Sequence, residues 1–348
     1  MSFPEVDYRG FIEQWFFIKT KEGLIERFKF NEPQNIWYDD LLDTYGGTLQ
    51  GLRENDLKGR QFGISSVISA IFTTDFIMSA LGDIPMVDGD IYSHKDKETT
   101  SHFNRVNMYL ESYLLGTQGG NYADPEHRKE AEKIRPHFLK TDTTNLLIAK
   151  NGTQIQTATA GAKVSGRGST RQNLHWSEPA FYSNTQVLSA ENLITGAEEQ
   201  VPDGYGKIFR ESTGNMLGDF YSKEYFDGKE GRSEFHSRFL AWYLMKAYSR
   251  PAPQSWEPHP YYEKLLSEGL ATVDQCYWHF VKTRELRNRK RLREYPTYDY
   301  EAFLMAGTTF FDSNAMLFHN NNTRDPIKIS QHINGLSMIN GGKEFAHA

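Results

Sequence analysis

Residues 58–66, Lys-Gly-Arg-Gln-Phe-Gly-Ile-Ser-Ser, have the types and spacing of a loop that binds phosphate. A predicted short strand, 55–57, leads into them, and a predicted amphipathic helix, 67–81, follows. Such a junction favours an anion because unpaired backbone N–H groups and the helix dipole meet there. Gly59 and Gly63 would let the backbone approach that anion closely. A structural turn before a buried helix would leave the same pattern.

The loop departs at one position from the common phosphate-binding pattern. That pattern ends in Gly-Lys-Ser or Gly-Lys-Thr, whereas here Ile64 stands where the lysine would be. Lys58 and Arg60 come earlier in the loop. We therefore expect the positive charge of a phosphate site to come from the start of the loop.

An amide side chain, Gln34, follows Pro33 upstream of this loop and opens a predicted helix. A glutamine in that place suggests an amide that recognises the edge of adenine. A proline in the first turn is equally what an ordinary helix start uses. Taken alone, the pair favours the helix start.

A carboxylate, Glu178, follows a predicted strand at 173–176. A water-activating base would stand at such a strand end, close to a phosphate loop. A single glutamate at the end of a strand is otherwise commonplace. Further upstream, Arg167 lies between two glycines on a predicted flexible loop, and arginines in that setting are usually solvated.

Composition excludes several classes of protein. The chain has 348 residues and one cysteine, Cys276, which excludes a disulfide framework and a cysteine-rich zinc site. The longest apolar stretch, 67–81, contains polar residues and is shorter than the roughly 20 residues that cross a bilayer. We therefore expect no membrane segment and a cytosolic location. The net charge of −6 argues weakly against nucleic acid, but a local basic groove matters more because distant charges are screened.

Strands and helices alternate along residues 55–245, which predicts a mostly parallel sheet with helices on both faces. A proline-rich stretch, 251–260, marks a boundary, and predicted helices follow it. Positive residues are dense in 282–293, typical of a solvated helix face or of contact with a phosphate backbone. The predicted divisions are an N-terminal segment at 1–50, a core at 51–250, a helical lid at 251–312 and a linker at 313–348.

Taken in order, these motifs resemble the large terminase subunits of tailed bacteriophages, the motors that package double-stranded DNA. The resemblance covers residues 12–312 and rests on the order and spacing of the motifs. They are Asn31-Glu-Pro-Gln34, Lys58 to Ser66, Gly166-Arg-Gly-Ser-Thr170 with Leu174-His-Trp-Ser-Glu178, Glu211-Ser-Thr-Gly-Asn215, and Glu294-Tyr-Pro with Glu301-Ala-Phe303.

The resemblance implies an additional-strand phosphate-loop ATPase with a small helical lid, which uses ATP and Mg²⁺. It assigns to the nucleotide Gln34, at the adenine, and around the phosphates Lys58, Gly59, Arg60, Gln61, Gly63, Ser65 and Ser66. Ser65 or Ser66 would face magnesium. Glu178 would activate the attacking water, and Arg60 or Arg167 would be the arginine finger. The coupling motif, which senses the γ-phosphate, would be Ser212, Thr213 and Asn215.

The chain departs from the pattern of that family in three ways. Ile64 replaces the usual lysine, and Ser177 stands where an acidic magnesium ligand is common, so we expect magnesium to be held through water. Large terminases usually continue into an RNase H-like nuclease domain, and this chain ends at Ala348, about where that domain would open. We therefore expect the ATPase portion alone.

Two functions follow as hypotheses. The first is an ATP-hydrolysing motor that translocates double-stranded DNA into a procapsid in the host cytoplasm. Its partners would be the portal protein and the small terminase subunit, in a homo-oligomeric ring with no membrane. The alternative is a catalytically weakened adapter that binds nucleotide or DNA without turnover, because of Ile64 and Ser177. Glu178 favours the motor, since a binding protein has no need of a water-orienting carboxylate.

The arginine finger yields the first testable prediction. Arg167→Ala keeps the predicted base but cannot supply an arginine finger to a neighbouring subunit. Glu178→Gln keeps the arginine finger but lacks the base. An arginine supplied across a subunit interface is worth about 10³–10⁵ in rate. Each variant alone should therefore be inactive, and a mixture at high concentration should recover part of the phosphate release. An inactive mixture of variants that still assemble would make Arg60 the better candidate.

Overall fold

The computed structural model describes residues 4–161, 170–182 and 189–304, together with the backbone of three later strands. The side chains of residues 287–292 and of those strands lie outside the description. The chain divides into two compact units, Met1–Met305 and Ala306–Ala348. The second unit contains an antiparallel sheet with strands Lys328–His332, Gly335–Asn340 and Lys343–Ala346. The domain bounds predicted at positions 50, 250 and 312 stay predictions.

One large sheet forms the centre of the first unit, after a short hairpin of β1 (Phe17–Lys19) and β2 (Ile25–Arg27). Its strands are β3 (Arg53–Lys58), β4 (Gly89–Ser93), β5 (Leu139–Asp142), β6 (Leu146–Ala149), β7 (Gln154–Thr159), β8 (Asn173–Ser177), β9 (Lys207–Ser212) and β10 (His236–Leu240). Their order is β10-β3-β9-β8-β4-β7-β6-β5. The pairs from β10 to β7 are parallel, and β6 and β5 join in antiparallel fashion. The predicted mostly parallel α/β sheet is confirmed.

Helices cover both faces of this sheet. The helices described in the first unit are α1 (Tyr8–Trp15), α2 (Glu32–Thr44), α3 (Ile64–Leu81), α4 (Asp96–Gly116), α5 (Pro125–Phe138), α6 (Ala190–Glu198), α7 (Phe220–Lys229), α8 (Glu263–Ser267) and α9 (Val273–Glu294). Successive residues of a strand point to opposite faces. In β9, Phe209 packs on Phe72 of α3, whereas its neighbour Arg210 pairs with Glu198 of α6 and Glu224 of α7. The α3 helix and the pair α6 and α7 therefore lie on opposite faces.

Strand β9 is inserted between the strand that precedes the loop and the strand that precedes Glu178. Glu211 of β9 is in register with Asp56 of β3 on one side and with Ser177 of β8 on the other. This is the additional-strand order that the resemblance implied. The carboxyl ends of β3, β9 and β8 therefore meet at one edge, which is where parallel sheets bind their ligands.

The helix after the loop, α3, is largely buried in the core. It begins at Ile64, three residues before its predicted start, and Gly82 ends it with a φ of 83°. The sequence predicted one apolar face, but the helix is buried on nearly every side because α1 and α4 also pack against it. Within the described residues α3 has the length and composition of a membrane span, and 72% of it is buried in the fold. Its apolar character is explained by the core.

A buried acidic residue, Asp75, ties α3 to the sheet. Its carboxylate accepts hydrogen bonds from Tyr8 Oη at 2.6 Å, from Asn173 Nδ2 at 2.7 Å and from Lys207 Nζ at 2.9 Å. The Asp75 and Lys207 side chains are 1% and 7% exposed. The pair joins α3 to β9, and Asn173 adds β8. These bonds hold the helix in register with the strands whose ends form the edge described below.

The Asp75 network yields a prediction about stability. Asp75→Ala leaves the Lys207 ammonium buried without its partner, and removing one member of a buried pair costs about 3–5 kcal/mol. We expect a loss of this size in the free energy of unfolding, measured by urea denaturation followed by circular dichroism. Glu126→Ala, which breaks an exposed pair with Lys129, is the control and should cost about 0.5 kcal/mol or less. Equal losses in the two variants would contradict the role of Asp75.

Candidate phosphate-binding site

Three charged side chains converge where β3, β9 and β8 end. Lys58 is the last residue of β3, and its Nζ lies 2.9 Å from Glu178 Oε1 and 2.9 Å from Glu211 Oε2. Glu211 is fully buried, and the Lys58 side chain is 8% exposed. The cation that the sequence placed at the start of the loop is therefore held by two carboxylates from neighbouring strands.

The other oxygen of Glu211 collects neutral donors. Glu211 Oε1 accepts hydrogen bonds from Ser65 Oγ at 2.7 Å and from Ser177 Oγ at 2.9 Å. The His175 Nε2 atom lies 3.3 Å from the same oxygen. This one carboxylate thus connects the start of α3 with the ends of β3 and β8.

The charges of this cluster stabilise one another. Burial would raise the pKa of Glu211, but the Lys58 ammonium and the hydrogen bonds from His175 and Ser65 hold that pKa well below its usual range. Burial would likewise lower the pKa of Lys58, and the carboxylates of Glu178 and Glu211 raise it above its ordinary value instead. Burial lowers the pKa of His175. At neutral pH Lys58 and Glu211 are therefore both ionised.

Glu178 is positioned by its backbone and by the residues that follow β9. Its φ of 57° and ψ of 47° are left-handed, a conformation that costs a non-glycine residue about 1–3 kcal/mol and that is concentrated at functional sites. Its Oε2 atom accepts hydrogen bonds from Thr213 N at 3.0 Å, Thr213 Oγ1 at 3.1 Å and Ser212 Oγ at 3.1 Å. Two residues of the predicted coupling motif therefore contact the predicted base directly.

The rest of the coupling motif contacts two neighbouring segments. The Asn215 side chain donates from Nδ2 to the carbonyl oxygen of Ala180 at 3.0 Å. Gly214 lies so close to Ala302 that a Cβ atom on it would be 2.3 Å from the Ala302 carbonyl oxygen. Position 214 therefore requires glycine for a close backbone approach.

The loop from β3 to α3 presents a row of unused backbone donors. None of the residues that the structure describes accepts a hydrogen bond from the N–H groups of residues 61–65. Gln61, with a φ of 63°, and Gly63, with a φ of 77°, turn the chain through left-handed conformations. The N-terminus of α3 follows directly, so its dipole adds to these donors and favours an anion.

Gln34 lies against the loop and is occupied by protein contacts. It accepts a hydrogen bond from Asn31 N through Oε1 at 2.9 Å, within the capping box that starts α2, which confirms the helix start. Its Nε2 donates to the carbonyl oxygen of Gly63 at 3.0 Å. A Cβ atom on Gly63 would lie 2.5 Å from that nitrogen, whereas one on Gly59 would meet the ring of Phe62. Recognition of adenine by Gln34 stays a prediction.

Of the two candidates for the arginine finger, Arg60 lies within the described residues and Arg167 does not. Arg60 pairs with Glu294, at the end of α9, through Nη1 and Oε2 at 2.6 Å, and its backbone N donates to the Glu294 carbonyl oxygen. The Tyr248 hydroxyl donates to the Arg60 carbonyl oxygen at 2.6 Å. These bonds fasten the loop to α9. Arg167 lies outside the described residues, and its role stays a prediction.

Ser66 lies beside a cavity of about 380 Å³ between the hairpin β1–β2 and α4. Lys19, Arg105 and Tyr109 also line this cavity. The Tyr109 hydroxyl donates to the Ser66 carbonyl oxygen at 3.3 Å. Ser66 therefore belongs to a cationic cavity, whereas Ser65 belongs to the cluster of carboxylates.

The residues at this edge fit a magnesium ion bound together with a phosphate. No group of three or more His, Cys, Asp and Glu side chains is placed to hold a metal within the described ranges. Magnesium commonly needs only one or two carboxylates when phosphates supply further ligands. Ser65 gives its proton to Glu211, so the lone pairs of its oxygen are left for a cation.

The central position of Glu211 was missed by reasoning from the sequence. The sequence showed Glu211 as the first residue of the coupling motif and Ser177 as a missing acid. Strand order and register bring the two together, and a single sequence does not show which strands are neighbours. The one available indication was an acidic residue directly after residues 207–210, which the sequence predicts to form a strand.

No protein-family model and no curated protein sequence matches the chain. Among solved structures, the large terminase of bacteriophage HK97 is similar with a TM-score of 0.52 and 11% identity over 89% of this chain. The chain spans 57% of the length of that protein.

Two further structures are similar at lower scores. The Thermus phage P74-26 large terminase ATPase domain has a TM-score of 0.42 and 13% identity, over 77% of this chain and 98% of its own. The large terminase of another thermophilic bacteriophage has a TM-score of 0.38 and 12% identity, over 85% of this chain and 63% of its own. The HK97 comparison carries the conclusion. The similarity to the HK97 large terminase confirms the predicted resemblance at the level of the fold, because this chain shares the fold of the part of that protein with which it aligns.

Proposed function

We propose that this chain is the ATP-hydrolysing motor domain of a viral terminase large subunit, which translocates double-stranded DNA. The observation that carries the proposal is the row of free N–H donors at residues 61–65, beside Lys58 and Glu178. A row of such donors at a helix N-terminus suits the phosphates of a nucleotide. A cation and a carboxylate at the same edge suit the transfer of a phosphoryl group to water.

The ion pairs of Lys58 suggest how nucleotide binding prepares the site. Lys58 neutralises Glu178 and Glu211 while no phosphate competes for it. Phosphate oxygens that enter the loop attract the ammonium away from Glu178. The carboxylate of Glu178 is then free to orient a water molecule and to accept its proton as the water attacks the γ-phosphate. The products are ADP and inorganic phosphate.

The remaining groups hold and sense the nucleotide. Residues 61–65 donate backbone hydrogen bonds to phosphate oxygens, and Ser65 with Glu211 would hold the magnesium ion. Magnesium, when bound, would neutralise charge on the phosphate oxygens. Ser212 and Thr213 hold Glu178 in place, so a change at the γ-phosphate reaches the coupling motif through Glu178.

We propose that the chain binds DNA through the phosphates of the DNA backbone, because a motor must act on DNA of any sequence. The basic run in α9 supports it. Arg284 lies over the ring of Phe280, and Arg293 pairs with Glu294, so these two ends of the run have partners within the fold. The side chains of residues 287–292, between these two arginines, lie outside the description. A homo-oligomeric ring in the host cytoplasm, with the portal protein and the small terminase subunit, completes the proposal.

Glu178→Gln tests the chemistry. The amide keeps the size of the side chain but cannot take a proton, so nucleotide binding should persist while turnover falls by roughly 10²–10⁴-fold. The measurement is phosphate release with and without double-stranded DNA, alongside binding of a fluorescent ADP. Glu26→Gln, at an exposed position on β2, is the control and should turn over normally. An unmodified protein that binds nucleotide without turnover would favour the adapter instead.

Salt dependence tests the grip on DNA. Replacing Arg289, Lys290 and Arg291 by alanine should lower the log–log salt slope of DNA binding by about 0.9 for each DNA phosphate that these side chains neutralise. The control removes the same charge elsewhere, through alanine at Lys129, Lys133 and Lys140, which are exposed. Binding measured between low and moderate salt gives both slopes. If the two triple variants behave alike, the run in α9 is a solvated helix face.

A further inference from the structure

The magnesium site of the proposed function lacks an acidic residue at position 177. Ser177 ends β8, directly before the predicted base, and its hydroxyl has no charge to offer a metal. That hydroxyl donates to Glu211 Oε1 at 2.9 Å. The carboxylate of Glu211 therefore reaches, from the neighbouring strand, the place that an acidic side chain at position 177 would occupy.

The same carboxylate positions the loop serine. Ser65 Oγ donates to Glu211 Oε1 at 2.7 Å, which fixes the direction of its proton and leaves its lone pairs open. Glu211 is in register with Asp56 and Ser177, so this arrangement is built into the sheet. The buried position of Glu211 excludes bulk water as an alternative partner.

The second oxygen of Glu211 depends on a cation. Within the described chain, Lys58 Nζ at 2.9 Å is its partner, and no hydrogen-bond donor other than that ammonium reaches it. In the proposed reaction Lys58 turns toward the phosphates. A buried carboxylate without a compensating charge is strongly unfavourable. A second cation must therefore take the place of Lys58 when the nucleotide is bound.

We propose that Glu211 is the positioning carboxylate of the magnesium site and exchanges Lys58 for Mg²⁺ as nucleotide binds, in place of an acid at position 177. The inference rests on the proposed function and specifies its metal site. Glu211 acts through Ser65 and through the charge that it offers the ion. The competing explanation is that Glu211 serves only as a counter-charge for Lys58. That explanation predicts no specific loss of Mg²⁺ affinity when Glu211 is replaced.

The experiment measures how strongly Mg²⁺ tightens the binding of a fluorescent ADP, by titrating Mg²⁺ after EDTA treatment. In Glu211→Gln the apparent affinity for Mg²⁺ in the ADP complex should fall by about 10–100-fold, as it does when a partner of a metal ligand is removed. Glu178→Gln is the matched control, because it removes an equal charge beside Lys58 but has no contact with Ser65. Its affinity for Mg²⁺ should stay within a few-fold of the unmodified protein.

A rescue variant tests the location. Ser177→Asp in the Glu211→Gln background returns a carboxylate to the same point from β8, and should recover most of the Mg²⁺ affinity. Glu211→Asp retains the charge that neutralises Lys58 and draws the carboxylate back by one methylene. Glu211→Asp can be measured even if Glu211→Gln does not fold, and its loss of Mg²⁺ affinity should be smaller than that of Glu211→Gln. Circular dichroism establishes that each variant is folded.

The outcomes separate the two proposals. Unchanged Mg²⁺ affinity in a folded Glu211→Gln or Glu211→Asp protein would overturn the inference about Glu211. Equal losses in Glu178→Gln and Glu211→Gln would overturn it too, because the effect would then be one of charge alone. A rescue variant that folds and regains nothing contradicts the place assigned to the carboxylate. An unmodified protein that binds no ADP at any Mg²⁺ concentration would instead overturn the proposed function.

Discussion

A buried positive charge is the constraint on which this edge of the sheet depends. Lys58 lies inside the fold, where an isolated ammonium would lose its proton or destabilise the native state. Glu178 and Glu211 offset that cost, and each comes from a different strand. Strand order, register and the left-handed backbone at Glu178 all serve to place these carboxylates within reach of one nitrogen.

Under the proposed function, the two departures from the common pattern have one structural explanation. Ile64 is fully buried at the start of α3, where it packs in the core, and the cation has moved to the end of β3. In the proposed magnesium site, Glu211, one strand away, supplies the acid that is missing at position 177. Both groups still meet at the carboxyl ends of the parallel strands. Strand β9 lies between β3 and β8, so its side chain Glu211 can lie between Lys58 of β3 and position 177 of β8.

The sequence predicted local features well and contacts between distant residues poorly. The alternating strands and helices and the loop before α3 depend on short-range patterns, and the structure confirms them. The burial of α3 on nearly every side was not predicted, because α1 and α4 pack against the side that the pattern marked as polar. The cluster around Glu211 was also beyond local reasoning, since Ser65 is 146 positions away in the chain. Only strand order brings such residues together.

The contacts of the coupling motif extend the constraint beyond the site. Thr213 holds Glu178, while Gly214 lies against the backbone of Ala302, and Leu217 N donates to the Phe303 carbonyl oxygen at 3.0 Å. The segment after α9 is thus packed against the residues that hold the proposed base. Thr213 and Gly214 are adjacent in the chain, so the residue that holds Glu178 is directly connected to the residue that contacts Ala302. Under the proposed function, release of Glu178 by Lys58 is therefore the event that would move the lid.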